Sequence, residues 1–440
     1  MLLFTVALLA LAMVPVGAGA ATSVKAAKSA ASGTCPDPSG TIKLGVSYFG
    51  GVANNVTDLG GEEEAAALPA DQATIDGYKA GAKAISAAGG IAGCQVEVVP
   101  FNFSAAAKDF NQMSQQECAA FTQDNKVFAV YAVAYETKVA LDCFAKAKTP
   151  FVTAGGNYPP TCADYKKYAG YVYSPSGVAT CRFSSFIKTW DKAGLFPKDA
   201  KVGILAMDDG SGQGKALADD IWIPELKKMK IPAQSFSYTG SINEATFADV
   251  NAALGNAILQ FKAAGVNTVL MTPAGAQAVV AFMPQAKAQG FFPNYGLTTA
   301  DSISLAGSIG GDAIKKGVAI SWTIQDLPLT EQQALPANPA IEACAEWSTA
   351  STTTLTGSSG YCDFLNFLQT SMKSATKVDA ATLKKGVDAL GTSFVSSVTY
   401  GGATKFSKSQ YSGASKALIL DFDPTSKTWA PKSDTPVAIP

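Results

Sequence analysis

Short apolar runs alternate with amphipathic stretches along most of the chain after residue 40. The first run, residues 42–46, is rich in aliphatic side chains and predicts a strand. Ile75, Tyr78, Ala82 and Ile85 then recur at helical spacing, which predicts a helix. The same order repeats downstream. Further strands are predicted at residues 96–99, 127–133, 151–152, 202–205, 233–238, 268–271 and 295–297, and further helices at 110–121, 139–147, 178–190, 217–226, 247–264 and 276–289.

Strands that alternate with helices form βαβ units and parallel sheets. The two stretches 41–157 and 178–300 share this rhythm, although no residue-level repeat links them. We therefore predict an α/β protein of two doubly wound, Rossmann-like lobes. In such sheets ligands bind beyond the carboxyl ends of the strands, so the segments that follow the strands are candidate binding segments.

Residues 1–20 have the pattern of a secretory signal peptide. Residues 2–13 carry no charge, and Ala18-Gly19-Ala20 offers a cleavage site of the A-x-A type, although no Lys or Arg precedes the apolar run. The run is shorter than the roughly 20 residues of a membrane-spanning helix, which argues against an anchor. We expect cleavage after Ala20, a tether over residues 21–40 and a secreted, extracytoplasmic protein.

The eight cysteines, an even number, fit export into an oxidising compartment. Cys35, the first, is not preceded by a lipidation motif, which favours a freely secreted protein over a lipid-anchored one. Eight cysteines permit about 105 connectivities, and some could be buried free thiols. The spacing suggests four local pairs: Cys35 with Cys94, Cys118 with Cys143, Cys162 with Cys181, and Cys344 with Cys362.

The composition argues against several classes of function. The chain has 440 residues and no histidine, so neither a Ser-His-Asp nor a Cys-His catalytic arrangement can form. No Cys-x-x-Cys pair exists, which argues against a zinc site. Only 16% of residues are charged and the formal net charge is -1, so no electrostatic attraction to nucleic acid or to an anionic membrane is expected. We expect a small-molecule binder rather than an enzyme, without metal or cofactor.

Several short motifs follow one another in a fixed order between residues 42 and 290. They are the strand 42–46, the helix from Asp76-Gly77-Tyr78 to the turn 87–93, and the segments 149–152, 201–209, 266–270 and 285–290. Their order and spacing resemble the type I periplasmic binding proteins, in the branch that serves ABC transporters for branched-chain amino acids and amides. The resemblance covers about residues 41–325 well and the remainder loosely.

The resemblance implies two lobes joined by three crossovers, with a cleft that closes on the ligand by hinge motion. The crossovers would fall near residues 173–174, 322–323 and 400–401. Lobe one would be 41–174 plus 324–396, and lobe two 177–322 plus 400–440. The implied function is that of a monomeric solute-binding protein, which captures a small polar ligand such as an amino acid or amide for an ABC transporter permease. A sensing or scavenging protein of the same fold is the alternative.

The segments after the strands contain the candidate ligand-binding residues. Residues 153–157 resemble the family's turn that holds a ligand carboxylate, with Asn157 in place of a hydroxyl residue, although a plain glycine turn is the alternative. Asp301 lies nearest to the family's amine-binding acid, or else caps the next helix. Tyr135 and Glu136 open a helix whose free N–H groups suit a carboxylate ligand. The charge of Glu136 would oppose such an anion, or Glu136 simply stabilises that helix end. The full set is Tyr48, Tyr135, Glu136, Gly155, Gly156, Asn157, Asp209, Ser211, Thr272 and Asp301.

Other features near the predicted cleft allow more than one interpretation. Tyr48 follows the first strand and can equally be a core residue. Residues 208–215 suggest a phosphate-binding loop, but Asp209 stands where its first glycine belongs and Ala216 where its magnesium-binding hydroxyl belongs. Gly212 replaces an aromatic residue that the family usually has, which suggests room for a bulkier ligand. The Glu-rich segment 54–69 either drapes over the cleft mouth or forms a surface insertion.

Overall fold

The computed structural model describes residues 35, 39–51, 71–104, 107, 109–132, 137–153, 160–208, 213–239, 247–272, 276–308, 310–348 and 355–439. The strands within this part of the chain are β1 (Thr41–Gly50), β2 (Gln95–Ser104), β3 (Ala129–Ala132), β4 (Phe151–Thr153), β5 (Val172–Tyr173), β6 (Val202–Asp208), β7 (Ala233–Thr239), β8 (Thr268–Met271), β9 (Asn294–Thr298), β10 (Gly317–Ser321), β11 (Lys416–Asp423), β12 (Thr428–Pro431) and β13 (Val437–Ala438). The predicted signal peptide lies outside the described residues, as does most of the predicted tether.

Helices separate most of these strands. The α-helices are α1 (Asp71–Ala87), α2 (Phe110–Ala119), α3 (Lys138–Lys146), α4 (Cys162–Lys167), α5 (Ser184–Lys192), α6 (Gln213–Ala216), α7 (Ile223–Lys228), α8 (Phe247–Ala263), α9 (Ala276–Ala288), α10 (Ile303–Ser308), α11 (Leu329–Ala334), α12 (Pro339–Ser348), α13 (Leu355–Ser371) and α14 (Ala380–Ala389). Short 3₁₀ helices lie at Thr180–Phe183, Thr299–Asp301, Gly311–Ala313, Ile324–Asp326 and Tyr400–Gly402, and π-helical turns at Ala120–Asp124 and Leu217–Trp222. No described helix is long and apolar enough to cross a membrane.

The first sheet is parallel throughout and has the strand order β2-β1-β3-β4-β5. The predicted helical spacing is confirmed in α1, where Tyr78, Ala82 and Ile85 are buried. They face inward because positions three or four apart share one side of a helix. The Tyr361 hydroxyl on α13 donates to the Tyr78 carbonyl at 3.0 Å, so a distant part of the chain completes this core.

The second sheet has the strand order β7-β6-β8-β9-β10-β11-β12, with β13 paired to β11. Strands β6 to β10 are parallel, as the βαβ rhythm predicted. Strands β11, β12 and β13 are antiparallel, which the prediction of purely parallel sheets did not include. For β12 the physical reason is that a short turn at residues 424–427 joins it to β11, and only antiparallel neighbours can be connected so directly.

The packing divides the chain into two units. The first unit is a core of β1 to β5 with α1 to α4, α13 and α14. The second unit has apolar clusters on both faces of its sheet, since Leu205 and Met207 belong to one cluster and Ile204 and Ala206 to the other. Burial on both faces is typical of a doubly wound sheet.

Paired backbone segments lie where the chain passes between the units. Thr323 forms an antiparallel bridge with Thr399, and Ser174 forms a parallel bridge with Ser412. The Arg182 guanidinium reinforces the second contact by donating to the Ala414 carbonyl at 2.9 Å. Burial lowers the pKa of this guanidinium to about 10, so Arg182 remains cationic at neutral pH.

Four disulfides tie neighbouring elements together. They join the four pairs that the spacing suggested, with Cα–Cα distances of 5.8, 6.3, 5.7 and 6.0 Å in chain order. These distances lie within the usual range for disulfides. No described cysteine is free.

Candidate functional site

The strand order of each sheet identifies one position for a binding site. In the first sheet the order reverses between β1 and β3, and in the second between β6 and β8. The connections that leave two such strands go to opposite sides, which leaves a crevice at their carboxyl ends. We therefore built the candidate site from the side chains at the carboxyl ends of these two strand pairs.

A buried carboxyl group lies at the first of these positions. Glu117 on α2 is 2% exposed and lies beside the Ser47 hydroxyl, near the end of β1. Burial raises the pKa of Glu117 to about 7, while the Ser47 hydrogen bond lowers it. Glu117 Oε1 has no hydrogen-bond partner in the described part of the chain. A buried carboxyl oxygen without a partner is costly, which makes this position unusual for purely structural packing.

The Ser47 hydroxyl links this carboxyl group to β3. Ser47 Oγ donates to the main-chain carbonyl of Tyr131 at 3.3 Å. A hydroxyl has a single proton, so Ser47 can donate either to Tyr131 or to an ionised Glu117. When Glu117 is protonated it can donate to Ser47 instead, and the Tyr131 bond is kept. The protonation state of Glu117 therefore determines the direction of the hydrogen bonds at the carboxyl end of β3.

The N-terminus of α3 is fixed beside the same strand ends. Thr137 is its N-cap, and Thr137 Oγ1 accepts from the Ala140 N–H at 3.2 Å. Thr137 Oγ1 also donates to Ser114 Oγ at 2.8 Å, which fastens the cap to α2. Two predicted site residues, Tyr135 and Glu136, directly precede this cap in sequence but lie outside the described residues.

The position between β6 and β8 contains Thr272, one of the predicted ligand-binding residues. Its main-chain N–H donates to the Leu205 carbonyl at 3.0 Å, which places it directly after β8. Thr272 is fully buried, and its Oγ1 has no hydrogen-bond partner within the described ranges. Gly214, near the start of α6, lies beside this hydroxyl, because a Cβ on Gly214 would be 3.1 Å from Thr272 Oγ1.

Asp301, the predicted amine-binding acid, is the last residue of the 3₁₀ helix Thr299–Asp301 that follows β9. It is 1% exposed, and its Oδ2 accepts from the Thr298 N–H and the Thr298 hydroxyl, both at 2.8 Å. These contacts form a capping box. The alternative role of Asp301, as a residue that caps a helix, is therefore present in the structure, and this cap is buried. Contact of Asp301 with a ligand amine stays a prediction.

Tyr48 and its neighbour Phe49 face different surroundings. Tyr48 is half-buried and packs against the core of the first unit, so the core alternative accounts for part of its surface. Phe49 packs against the core of the second unit instead, as does Phe110 of α2. The carboxyl end of β1 is therefore a point of apolar contact between the two units.

The remaining predicted site residues cannot be placed. Gly155, Gly156, Asn157, Asp209 and Ser211 lie outside the described residues. They follow β4 and β6 in sequence, at the same end of each sheet as Ser47 and Thr272. Within the described ranges no group of His, Cys, Asp and Glu is arranged to hold a metal ion.

Glu117 is not among the site residues predicted from the sequence, although the sequence contains a signal for it. Met113, Glu117 and Phe121 are four residues apart, so the acid falls on the same helical face as two apolar side chains. A charged residue at such a position is either buried or functional, and here it is buried.

The structure resembles those of known proteins. It superposes on a branched-chain amino acid ABC transporter protein from Thermus thermophilus with bound valine, with a TM-score of 0.61, 15% identity, and coverage of 90% of this chain and 96% of that chain. It also resembles a leucine-binding protein from Thermotoga maritima, with a TM-score of 0.62, 13% identity, and coverage of 89% and 98%. The chain has the type I periplasmic binding protein fold.

Other members of this fold bind different ligands. A fatty acid ABC transporter substrate-binding protein from Thermomonospora curvata superposes with a TM-score of 0.60, 14% identity, and coverage of 89% of this chain and 91% of that chain. No protein-family model matches the sequence, and no curated protein matches it either. The type I periplasmic binding fold accordingly does not identify a ligand by itself.

Proposed function

We propose that this chain is an exported solute-binding protein that captures a small polar ligand between its two units and presents it to an ABC transporter. The observation that carries the proposal is the pair of buried oxygens at the two strand-order reversals. Glu117 Oε1 and Thr272 Oγ1 both lack a hydrogen-bond partner among the described residues. Polar atoms at such positions suit a site that selects its ligand by a few hydrogen bonds.

Export is supported by the sequence and by the disulfides. The pattern of residues 1–20 is that of a cleaved signal peptide. Four disulfides within one chain are typical of an oxidising compartment. The proposed partner is a transporter permease, and the proposed mature form is a monomer. Two of the three solved structures described above, those from Thermus thermophilus and Thermomonospora curvata, carry ABC transporter names.

The division into lobes at 41–174 plus 324–396 and 177–322 plus 400–440 is part of the proposal. In support, buried residues between 42 and 173 and between 361 and 394 pack in the core of the first unit. Phe406 and Tyr411, which this division assigns to lobe two, pack there as well. Ile324 and Leu327, which this division assigns to lobe one, pack with the second unit, as does Tyr400.

Native mass spectrometry of the freshly purified mature protein tests the function. We expect a copurified small molecule, which can be released and identified. A mature protein that shows no ligand and no melting shift with amino acids, amides or small aromatic molecules would contradict the proposal. Chemical turnover of the released ligand by the protein would indicate an enzyme instead of a binding protein.

The substitution Gly155→Trp tests the location of the site. We expect it to abolish binding of the copurified ligand while the melting temperature of the unliganded protein changes by a few degrees at most. Leu259→Trp is the control, because Leu259 is 58% exposed on α8 and the change introduces the same side chain at a surface position. Retained binding in Gly155→Trp would place the site elsewhere.

A further inference from the structure

Two chain segments that pass between the units are paired, and we call them the crossover pair: residues 321–326 and 396–400. Thr323 and Thr399 form its antiparallel bridge. The Ile324 N–H donates to the Val398 carbonyl at 2.9 Å, so the pairing continues beyond the bridge. Any change in the angle between the units has to be accommodated by these residues or by those next to them.

A buried aspartate ties the crossover pair to the second unit. Asp326 Oδ2 accepts from the Ser321 hydroxyl at the end of β10 and from the Thr299 hydroxyl after β9, both at 2.6 Å. Ser321 Oγ also lies 2.9 Å from the Tyr400 hydroxyl. The carboxyl group of Asp326 therefore contacts the turn after β9 directly and reaches the second crossover segment through Ser321.

A second buried aspartate ties the pair to the first unit. Asp363 on α13 accepts from the Ser397 N–H at 2.6 Å and from the Ser397 hydroxyl at 2.8 Å. Its other oxygen accepts from the Ser396 hydroxyl. Ser396 Oγ in turn accepts from the main-chain N–H groups of Val398 and Thr399, at 2.9 and 3.0 Å. Asp363 thus holds the segment immediately before the bridge with Thr323.

Neither carboxyl group has a cation beside it in the described part of the chain. Burial raises the pKa of both Asp326 and Asp363 to about 6, and the hydroxyl groups bonded to them lower it. The titratable side chain that faces Asp326 is the Tyr400 phenol, whose pKa is raised by burial and by Asp326. The hydrogen-bond partners of Asp363 are Ser396 and Ser397, which do not titrate. Each carboxyl group is therefore free to change its protonation state in the mildly acidic range.

We propose that Asp326 and Asp363 are positioning residues that hold the crossover pair from opposite sides and so set the angle between the two units. As carboxylates they accept all the hydrogen bonds described above. Protonation removes the negative charge that strengthens these hydrogen bonds, and where the accepting oxygen itself takes the proton, it becomes a donor and a bond that it accepted is lost. The neutral forms are expected to favour a more open arrangement. The consequence for ligand capture rests on the proposed function, but the effect on the angle does not.

Small-angle X-ray scattering of the dialysed, ligand-free protein tests the proposal. We expect the radius of gyration to increase as the pH is lowered from 8 to 5, with a midpoint near 6. Asp326→Asn and Asp363→Asn are each expected to reduce this pH-dependent change in the radius of gyration. Asp326→Glu, which keeps a carboxyl group, is expected to retain it. Asp164→Asn is the matched control, since Asp164 is a buried aspartate in the capping box of α4, away from the crossover pair. It should keep the wild-type response.

A radius of gyration that is the same at both pH values in the wild-type protein would overturn the proposal, and so would an unchanged pH response in both amide variants. If circular dichroism shows that an amide variant does not fold, Ser397→Ala is used instead, because it removes one hydrogen bond to Asp363 and keeps the carboxyl group. The pH titration of the wild-type protein tests the proposal in either case. Because no ligand is present, these results are independent of the test by native mass spectrometry. Absence of a ligand there would contradict the proposed function and leave the inference about the crossover pair intact.

Discussion

Gly214 lies directly against the main-chain carbonyl of Met207, with no room for a side chain between them. This contact brings the start of α6 to the end of β6, close to the Thr272 hydroxyl. A glycine is required here for its small size, since a Cβ would overlap the carbonyl oxygen. The geometry of the second strand-order reversal therefore depends on this residue.

Gly214→Ala is expected to lower the free energy of unfolding by about 1–3 kcal/mol, because overpacking forces the backbone apart. It should also weaken ligand binding by displacing α6. Urea unfolding and a binding titration with the copurified ligand measure the two effects. Gly255→Ala is the control: Gly255 lies within α8, and an added Cβ there would be 3.3 Å from its nearest neighbour, the side-chain atom Gln285 Oε1, so alanine should be neutral or stabilise by about 0.5–1 kcal/mol. A stability for Gly214→Ala equal to that of wild type would contradict the packing.

Thr272→Val is expected to preserve stability and weaken ligand binding. Valine has the shape of threonine, and the lost hydroxyl has no partner among the described residues, so folding loses no hydrogen bond. Thr298→Val is the matched control, because its buried hydroxyl donates to Asp301 at 2.8 Å and its removal should cost about 1.5–3 kcal/mol. Thermal melting and the same binding titration separate the two variants. Unaltered ligand binding in Thr272→Val would show that this hydroxyl does not contribute to the binding site.

Stability is expected to fall as the pH rises from about 5 to 7. Glu117 has its pKa raised from 4.5 to about 7 in the folded protein, so in this range the folded state binds more protons than the unfolded state. The folded state therefore loses stability as Glu117 ionises, by an amount on the order of 3 kcal/mol. Urea unfolding at pH 5 and pH 8 should show a smaller pH effect in Glu117→Gln than in wild type. Equal pH effects in the two proteins would mean that Glu117 does not titrate as a buried group.

The link between Cys118 and Cys143 should be found by peptide mapping under non-reducing conditions. Because this disulfide closes a loop with a sequence separation of 25, replacing both cysteines by alanine is expected to cost about 3 kcal/mol. Asp142→Asn, an exposed change on the same helix, is the control and should leave stability unchanged within error. A peptide that links either cysteine to Cys344 would refute the pairing.

Much of the fold could be predicted from local patterns. Alternating runs identified the parallel strands β1 to β4 and β6 to β9. The spacing of cysteines suggested the four disulfides, since pairs such as Cys162 and Cys181 are close in sequence. Both signals are local in sequence, so they can be recognised without knowledge of the tertiary structure. The candidate segments after the strands followed from the sheet class alone, and Thr272 does lie directly after β8.

The sequence by itself therefore determined the class of fold and the exclusion of histidine chemistry. Only the tertiary structure decided that Glu117 is buried beside Ser47, that β11 runs antiparallel to β10, and that Asp326 and Asp363 hold the crossover pair. These features depend on contacts between residues far apart in the chain. A periodic pattern indicates which face of an element is apolar, but it contains no information on which distant element covers that face, and burial of a charge depends on that choice.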